Sequence, residues 1–152
     1  MTPPLLSTRH PWQLRFGETP LPPTLPPDID IVRVGMGLGM AAIDAMIDSA
    51  HRVGPLLCCI THRMLLVPVA SGTADLWGAA HSVCSTGSTL HCVMHGYQSI
   101  CHNRLWVTPP ESLAYPTTDP GMFHDRLSLM RARMRTAARQ PLSVRTREVC
   151  HV

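Results

Sequence analysis

Cysteines and histidines cluster in the middle of the chain, in HSVCSTGSTLHCVMHGYQSICH (residues 81–102). This stretch holds three of the six cysteines and four of the nine histidines. Thiolate and imidazole are the preferred ligands of structural zinc, and such sites favour ligand pairs separated by two residues. Two such pairs occur, His81-x-x-Cys84 and Cys92-x-x-His95. The cluster therefore predicts a zinc site with four ligands: Cys84, Cys92, His95 and Cys101.

The alternative interpretation of this cluster is structural, with buried cysteines and histidines in exposed loops. If residues 88–95 form a strand, the alternation of side chains puts Cys92 and His95 on opposite faces of the sheet. A shared ion then requires the strand to end near Cys92. No Asp or Glu lies nearby to act as a base, so the zinc would be structural rather than catalytic.

A glycine-rich motif follows the first predicted strand. Residues 37–42, GLGMAA, satisfy the GxGxxA pattern of dinucleotide-binding turns, in which glycines let a pyrophosphate approach a helix N-terminus. That pattern also needs an acidic residue about 20 positions later to hold the ribose. Here that region is LLCCITHR, without an acid. A plain glycine-rich turn between strand and helix is therefore the favoured interpretation.

Other catalytic patterns are weak. Cys58 and Cys59 lie inside an apolar run, where cysteine behaves as a small hydrophobic residue. The chain has neither the Gly-x-Ser-x-Gly motif of serine hydrolases nor a cysteine hydrolase signature. Asp28 and Asp30 form a D-x-D pair at the beginning of the first strand, a position where acids are usually solvated.

Composition indicates one globular domain. The chain has 152 residues, of which 45% are hydrophobic and 15% charged. No apolar run approaches the roughly 18 residues that span a bilayer, and no signal peptide is evident. We therefore expect a cytoplasmic protein with reduced cysteines.

Positive charge is concentrated near the C-terminus. All thirteen basic residues are arginine, and seven of them lie in the last 27 residues, where Glu148 is the one acid. Nucleic acid is the partner that this distribution favours, through Arg131, Arg135 and Arg139. An ordinary solvated helix face is the alternative.

The order of elements predicts an α+β fold. A β-branched strand at 29–34 precedes an apolar helix stripe that ends at Gly54-Pro55, and two apolar runs separated by residues 61–63 form a hairpin. A short helix at 71–80 and strands at 88–95 and 102–108 follow. Asp119 and Pro120 then begin a last helix, whose predicted inner face holds Phe123, Leu127, Met130 and Met134. The strands predict a small, mostly antiparallel sheet with helices packed on one face.

The two ends of the chain are predicted to lie outside this domain, which spans residues 28–140. Residues 1–27 hold eight of the fifteen prolines and form a Pro-rich disordered tail. Pro20, Pro23 and Pro26 have PxxP spacing, which suits either an SH3-like partner or a plain linker. Residues 141–152 form a second tail.

The segment from DIDIVRV through VGPLLCCITHRMLLVPVASGTADLW, HSVC and RLWVTPP to TTDPGMFHDRLSLMRARMR covers about residues 28–138. It resembles a group of small, uncharacterised actinobacterial proteins that are similar to a fragment of the N-terminal domain of bifunctional DNA primase/polymerases. The resemblance implies an α+β fold related to the primase–polymerase core. It also implies paired acids at a strand end, with a further acid and a histidine, for metal-bound nucleotide. These residues have no counterpart here, since no acid lies between Asp75 and Glu111.

Together these features predict a small, non-catalytic cytoplasmic protein that binds a partner, with nucleic acid favoured. A zinc-stabilised regulatory module and a nucleotide-binding, primase/polymerase-like enzyme are the alternatives.

Overall fold

A computed structural model describes residues 12–16, 25–87, 90–92, 101, 103–108 and 115–140. Its strands are β1 (Gln13–Phe16), β2 (Ile29–Gly35), β3 (Leu56–Cys59), β4 (Met64–Ala70), β5 (Ser82–Ser85) and β6 (Arg104–Thr108). They form one sheet in the order β1-β6-β3-β4-β2-β5, in which every pair of neighbours is antiparallel. Two helices, α1 (Met36–Asp48) and α2 (Pro120–Arg139), complete the fold, and Ala74–Leu76 forms one 3-10 turn. The predicted α+β class is confirmed.

The centre of the sheet is a split β–α–β unit. β2 and β3 are each antiparallel to β4, which lies between them, so β2 and β3 run parallel and α1 connects them. The predicted hairpin is β3–β4, with Cys59 opposite Met64. A doubly wound dinucleotide fold needs successive parallel strands, and no parallel pair of neighbouring strands occurs in the described part of the sheet.

The helices cover one face of this sheet. Ile43 and Met46 of α1 and Phe123 and Leu127 of α2 are buried in a core cluster with alternate strand residues, among them Val32. Burial of such side chains stabilises a domain by roughly 1.5–3 kcal/mol each. The face that carries the helices is therefore the main hydrophobic core.

The opposite face of the sheet has a smaller core. Its buried residues come from strands and coil: Ile29, Ile31, Leu57, Cys59, Leu66, Cys92 and Trp106. Leu90 and Cys101, both outside the strands, pack against this cluster. Coil rather than helix therefore covers this face, within the described residues.

Gly39 explains part of the glycine motif by packing. A Cβ atom on Gly39 would lie 2.7 Å from both Leu65 Cδ2 and Val34 Cγ1, whereas one on Gly37 would meet nothing within 4 Å. Gly39 thus lets α1 lie close to β2 and β4. This contact gives the motif a structural role in helix–sheet packing.

Helix α2 begins as the sequence predicts but packs over less of its length. The side chain of Asp119 accepts a hydrogen bond from the amide of Met122, and Pro120 occupies the first turn. Phe123 and Leu127 are buried, and Met130 is partly buried against the core. Met134, however, is 46% exposed. The predicted inner face ends before Met134, since residues 132–140 are all exposed.

Two strand predictions need correction. Residues 90–92, inside the strand expected at 88–95, form no strand, whereas Ser82–Ser85 does. Gln13–Phe16, assigned from the sequence to a disordered tail, pairs with β6 as an edge strand. Residues 1–11, 17–24 and 141–152 lie outside the described residues.

Candidate metal centre

The β3–β4 hairpin brings the first two candidate ligands together. Consecutive strand residues point to opposite faces, so Cys58 joins the helix-side core while Cys59 lies on the coil-covered face. His62 follows in the turn, and its Nδ1 lies 3.2 Å from the Cys59 sulfur. This pair, Cys59-x-x-His62, has the two-residue gap typical of structural zinc ligands.

Cys92 and Cys101 complete a four-residue cluster. The Cys101 sulfur lies 3.4 Å from the Cys92 sulfur and 3.4 Å from His62 Nδ1. The ligand atoms of Cys59, His62, Cys92 and Cys101 all lie within 4.8 Å of one another. Cys59 is fully buried, Cys92 is buried, and the other two are half-buried.

These separations match a tetrahedral ion. With Zn–S near 2.3 Å and Zn–N near 2.0–2.1 Å, ligand atoms of a tetrahedral site stand about 3.8 Å (S–S) and about 3.6 Å (S–N) apart. The closest pairs in the cluster, at 3.2–3.4 Å, differ from these values by a few tenths of an ångström. Three sulfurs and one imidazole could therefore surround one metal ion after small side-chain adjustments.

The pKa values of two cysteines in the cluster, Cys59 and Cys92, are shifted in opposite directions. Burial alone would raise the pKa of Cys59, but hydrogen bonds from the backbone and side chain of His62 and from the Cys92 and Cys101 thiols lower it. Burial, then hydrogen bonds with Cys101 and Cys59, raises the pKa of Cys92 to about 12. Without metal, Cys59 is therefore the favoured thiolate, and Cys92 keeps its proton.

Two arginines hold the coil that carries Cys92. Arg33, on β2, donates from Nε to the carbonyl of His91 and from Nη1 to the hydroxyl of Ser85, the latter at 2.8 Å. Arg104, on β6, donates from Nη2 to the carbonyl of Leu90. The backbone immediately before Cys92 is therefore fastened to the sheet at two successive carbonyls.

A cavity of about 530 Å³ borders the cluster and is lined in part by Arg33, His62, His81 and Cys92. Metal sites need a path by which the ion enters. Because two of the four candidate ligands line this cavity, it provides such a path from the surface.

The structure brings together two of the four ligands expected from the sequence. Cys92 and Cys101 belong to the cluster, but Cys84 does not. Cys84 lies opposite Val32 in the β2–β5 pair and packs with the helix-side core, on the other face of the sheet. Burial and the nearby Asp30 carboxylate raise the pKa of Cys84 to about 12, with Arg33 opposing the rise. His95 lies outside the described residues.

Cys59 and His62 are the two ligands of the cluster that the sequence did not predict, where it had predicted Cys84 and His95. Cys59 was expected to act as a small hydrophobic residue, and its complete burial fits that expectation. The signal that reveals it is the two-residue gap to His62 across a predicted hairpin turn. The alternation of strand residues supplies the rest, because it separates Cys59 from Cys58.

Asp30 also differs from expectation. It was expected to be a solvated strand end but is only 2% exposed. Its two carboxylate oxygens accept hydrogen bonds from the amides of Ala74 and Gly87, at 2.9 and 3.3 Å. Asp30 therefore ties the 3-10 turn and the loop after β5 to the sheet.

The arginines proposed for nucleic-acid contact lie on the far half of α2. Arg131 is half-buried, and Arg135 and Arg139 are exposed. Arg135 and Arg139 are thus accessible, in the part of α2 where every residue from 132 onward is exposed.

Comparisons with known proteins identify no relative: no family model, no curated protein and no solved structure matches the chain at a significant level. The resemblance to primase/polymerase domains therefore stays a prediction. No helix in the described ranges is both long and apolar enough to cross a membrane.

Proposed function

We propose that this protein is a non-catalytic zinc-binding module whose ion is held by Cys59, His62, Cys92 and Cys101. The observation that carries the proposal is the convergence of their ligand atoms within 4.8 Å of one another. Thiolate-rich donor sets select zinc over the oxygen-preferring cations magnesium and calcium. Three thiols and one imidazole form the Cys₃His set of structural zinc sites.

A structural role follows from where the ligands lie. Cys59 and His62 belong to the β3–β4 hairpin, whereas Cys92 and Cys101 belong to coil on the face that no described helix covers. An ion shared by both pairs would fasten the coil to the sheet. Four protein ligands leave no open position for a substrate. We place the protein in the cytoplasm, where thiols stay reduced and available to metal.

The test is metal analysis of protein purified without chelator. We expect one zinc ion per chain and, after cobalt(II) substitution, the absorption spectrum of a tetrahedral thiolate-rich site. Cys59→Ala should lose the ion because it removes one sulfur ligand. Cys58→Ala is the matched control, since Cys58 is the neighbouring buried cysteine on the other face of the sheet.

The control variant should keep its zinc even if its stability falls. Wild-type protein without stoichiometric metal, or equal loss of zinc from both variants, would contradict the proposal.

A second candidate function is non-specific binding of nucleic acid by α2. The observation that favours it is that residues 132–140 are all exposed, on every side of the helix. From 126 to 140 the chain carries five arginines and no acid: Arg126, Arg131, Arg133, Arg135 and Arg139. About 100° separates successive helix residues, so these cations spread around the helix. That spread suits phosphate contact better than the reading of bases.

Binding to single- and double-stranded DNA across a salt series tests this candidate. Wild-type affinity should fall steeply as salt rises because neutralised phosphates release counterions. Arg131→Glu/Arg135→Glu should abolish binding, whereas charge reversal at Arg63, an exposed arginine in the β3–β4 turn, should leave most of it. Equal binding by the double variant would exclude α2 as the binding surface.

A further inference from the structure

Arg104 occupies a distinctive position beside the candidate metal centre. It lies directly opposite Cys59 in the β3–β6 pair, and directly opposed side chains of an antiparallel pair have Cβ atoms about 4.5–5.5 Å apart. Its Nη2 binds the carbonyl of Leu90, two residues before Cys92. Arg104 thus touches the coil that carries one ligand and borders the strand that carries another.

The Nε–H group of Arg104 is a hydrogen-bond donor that the described contacts leave unpaired. Its Nε is buried and has no hydrogen-bond partner among the described residues. A buried donor without a partner is destabilising, so such groups call for an explanation. A metal-bound thiolate would be a suitable acceptor, because a sulfur that carries negative charge accepts N–H hydrogen bonds.

The net charge of the candidate zinc centre also favours a cation such as Arg104 beside it. Zn²⁺ with three thiolates and a neutral imidazole has a net charge of −1, and a buried charge is tolerated when it is paired. The Arg104 guanidinium lies opposite Cys59 and holds the carbonyl two residues before Cys92. Arg104 is therefore placed to compensate the charge of a thiolate at position 92.

We propose that Arg104 is a positioning residue of the metal centre, which holds the Leu90 carbonyl through Nη2 and donates a hydrogen bond from Nε to the metal-bound sulfur of Cys92. The inference rests on the zinc function proposed above. It assigns to Arg104 two tasks, orienting a ligand and compensating its charge, that typify residues hydrogen-bonded to metal ligands.

The experiment compares zinc affinity in wild type, Arg104→Met and Arg104→Lys by competition with a chromophoric chelator. Loss of such a partner typically weakens metal binding by about 10–100-fold, and we expect this loss in Arg104→Met. Arg104→Lys keeps the charge without the Nε donor and should recover part of the affinity. Arg63→Met is the matched control, since Arg63 is exposed and adjacent to the ligand His62.

Cobalt(II) spectra separate positioning from general stability. A thiolate that loses a hydrogen bond is easier to oxidise, so the sulfur-to-cobalt charge-transfer band of Arg104→Met should move to longer wavelength. The tetrahedral ligand-field bands should remain. Unchanged affinity and an unchanged charge-transfer band in Arg104→Met would overturn the role of Arg104.

Wild-type protein gives an independent measurement if Arg104→Met does not fold. In protein with ¹⁵N-labelled arginine, the Nε–H signal of Arg104 should move downfield and exchange more slowly with water when zinc is added. A signal that zinc does not affect would overturn the inference while leaving the zinc site intact. Wild-type protein that takes up neither zinc nor cobalt would instead overturn the proposed function, and the inference with it.

Discussion

Cys58 and Cys59 are neighbours in sequence, yet they lie on opposite faces of the sheet. Cys58 packs with the core beneath the helices, and Cys59 lies 3.2 Å from the imidazole of His62. Burial, followed by the charge of Cys59, raises the pKa of Cys58 to about 11, whereas hydrogen bonds outweigh burial and lower that of Cys59. One of two identical side chains is thus a core residue and the other a candidate metal ligand.

Zinc removal should destabilise the protein. A ligand present at one hundred times its dissociation constant raises the free energy of unfolding by about 2.7 kcal/mol. We expect a strong chelator to lower the melting temperature of wild type and of Cys58→Ala, but not that of Cys59→Ala. Hydrogen exchange at Leu90, His91 and Cys92 should accelerate at the same time. A melting temperature that is insensitive to chelator in wild type would contradict a structural ion.

Alkylation should distinguish Cys84 from the cluster. Burial and the Asp30 carboxylate raise the pKa of Cys84 to about 12, and the thiolate is the reactive form. Reaction of Cys84 with iodoacetamide should therefore be slow at pH 8 and should quicken as pH rises, since a raised pKa leaves the thiol protonated until higher pH. Mass spectrometry of the modified cysteines provides the measurement.

Added zinc supplies the internal control for that experiment. It should protect Cys59, Cys92 and Cys101 from alkylation because their sulfurs would be bound to metal. It should leave the rate at Cys84 unchanged, since Cys84 lies on the other face of the sheet. Protection of Cys84 by zinc would restore it as a ligand.

Much of the fold could be predicted because its signals are local. β-Branched residues indicate β2, the short gap at 61–63 indicates the hairpin, and Asp119 with Pro120 marks the start of α2. Each of these features depends on residues close together in sequence. The order of the strands does not, and the place of β6 between β1 and β3 is decided by packing across the whole sheet.

Only part of the candidate metal site could be predicted, because only two of its ligands lie in a local cluster of Cys and His residues. The density of Cys and His near Cys92 and Cys101 marks those two residues. Their partner His62, however, is 39 positions from Cys101, and only the folded sheet brings the hairpin turn beneath the coil. The side that each cysteine faces depends on strand register, which excludes Cys84 and includes Cys59.

Substitution of Gly39 should test the packing of α1. Gly39→Ala places a methyl group 2.7 Å from Leu65 Cδ2 and Val34 Cγ1, and overpacking a core typically costs about 1–3 kcal/mol. Gly37→Ala is the matched control, with nothing within 4 Å of the added methyl. It should be neutral or stabilising by up to about 1 kcal/mol, because alanine favours helix more than glycine. Chemical denaturation gives both values, and equal effects would show that Gly39 has no special packing role.

Removal of the first strand should destabilise the domain. Gln13–Phe16 pairs with β6 along four residues, and Trp12 is partly buried against the helix-side core. Trp12→Ala should lower the free energy of unfolding by about 1–3 kcal/mol, as expected for loss of part of a large aromatic side chain from apolar contact. Deletion of residues 1–16 should cost at least as much, because it also exposes the hydrogen-bonding edge of β6. Deletion of residues 1–11 alone is the control, since it keeps both Trp12 and the strand. Thermal and urea unfolding of the three proteins would check this, and a full deletion as stable as wild type would show that β1 contributes nothing to the fold.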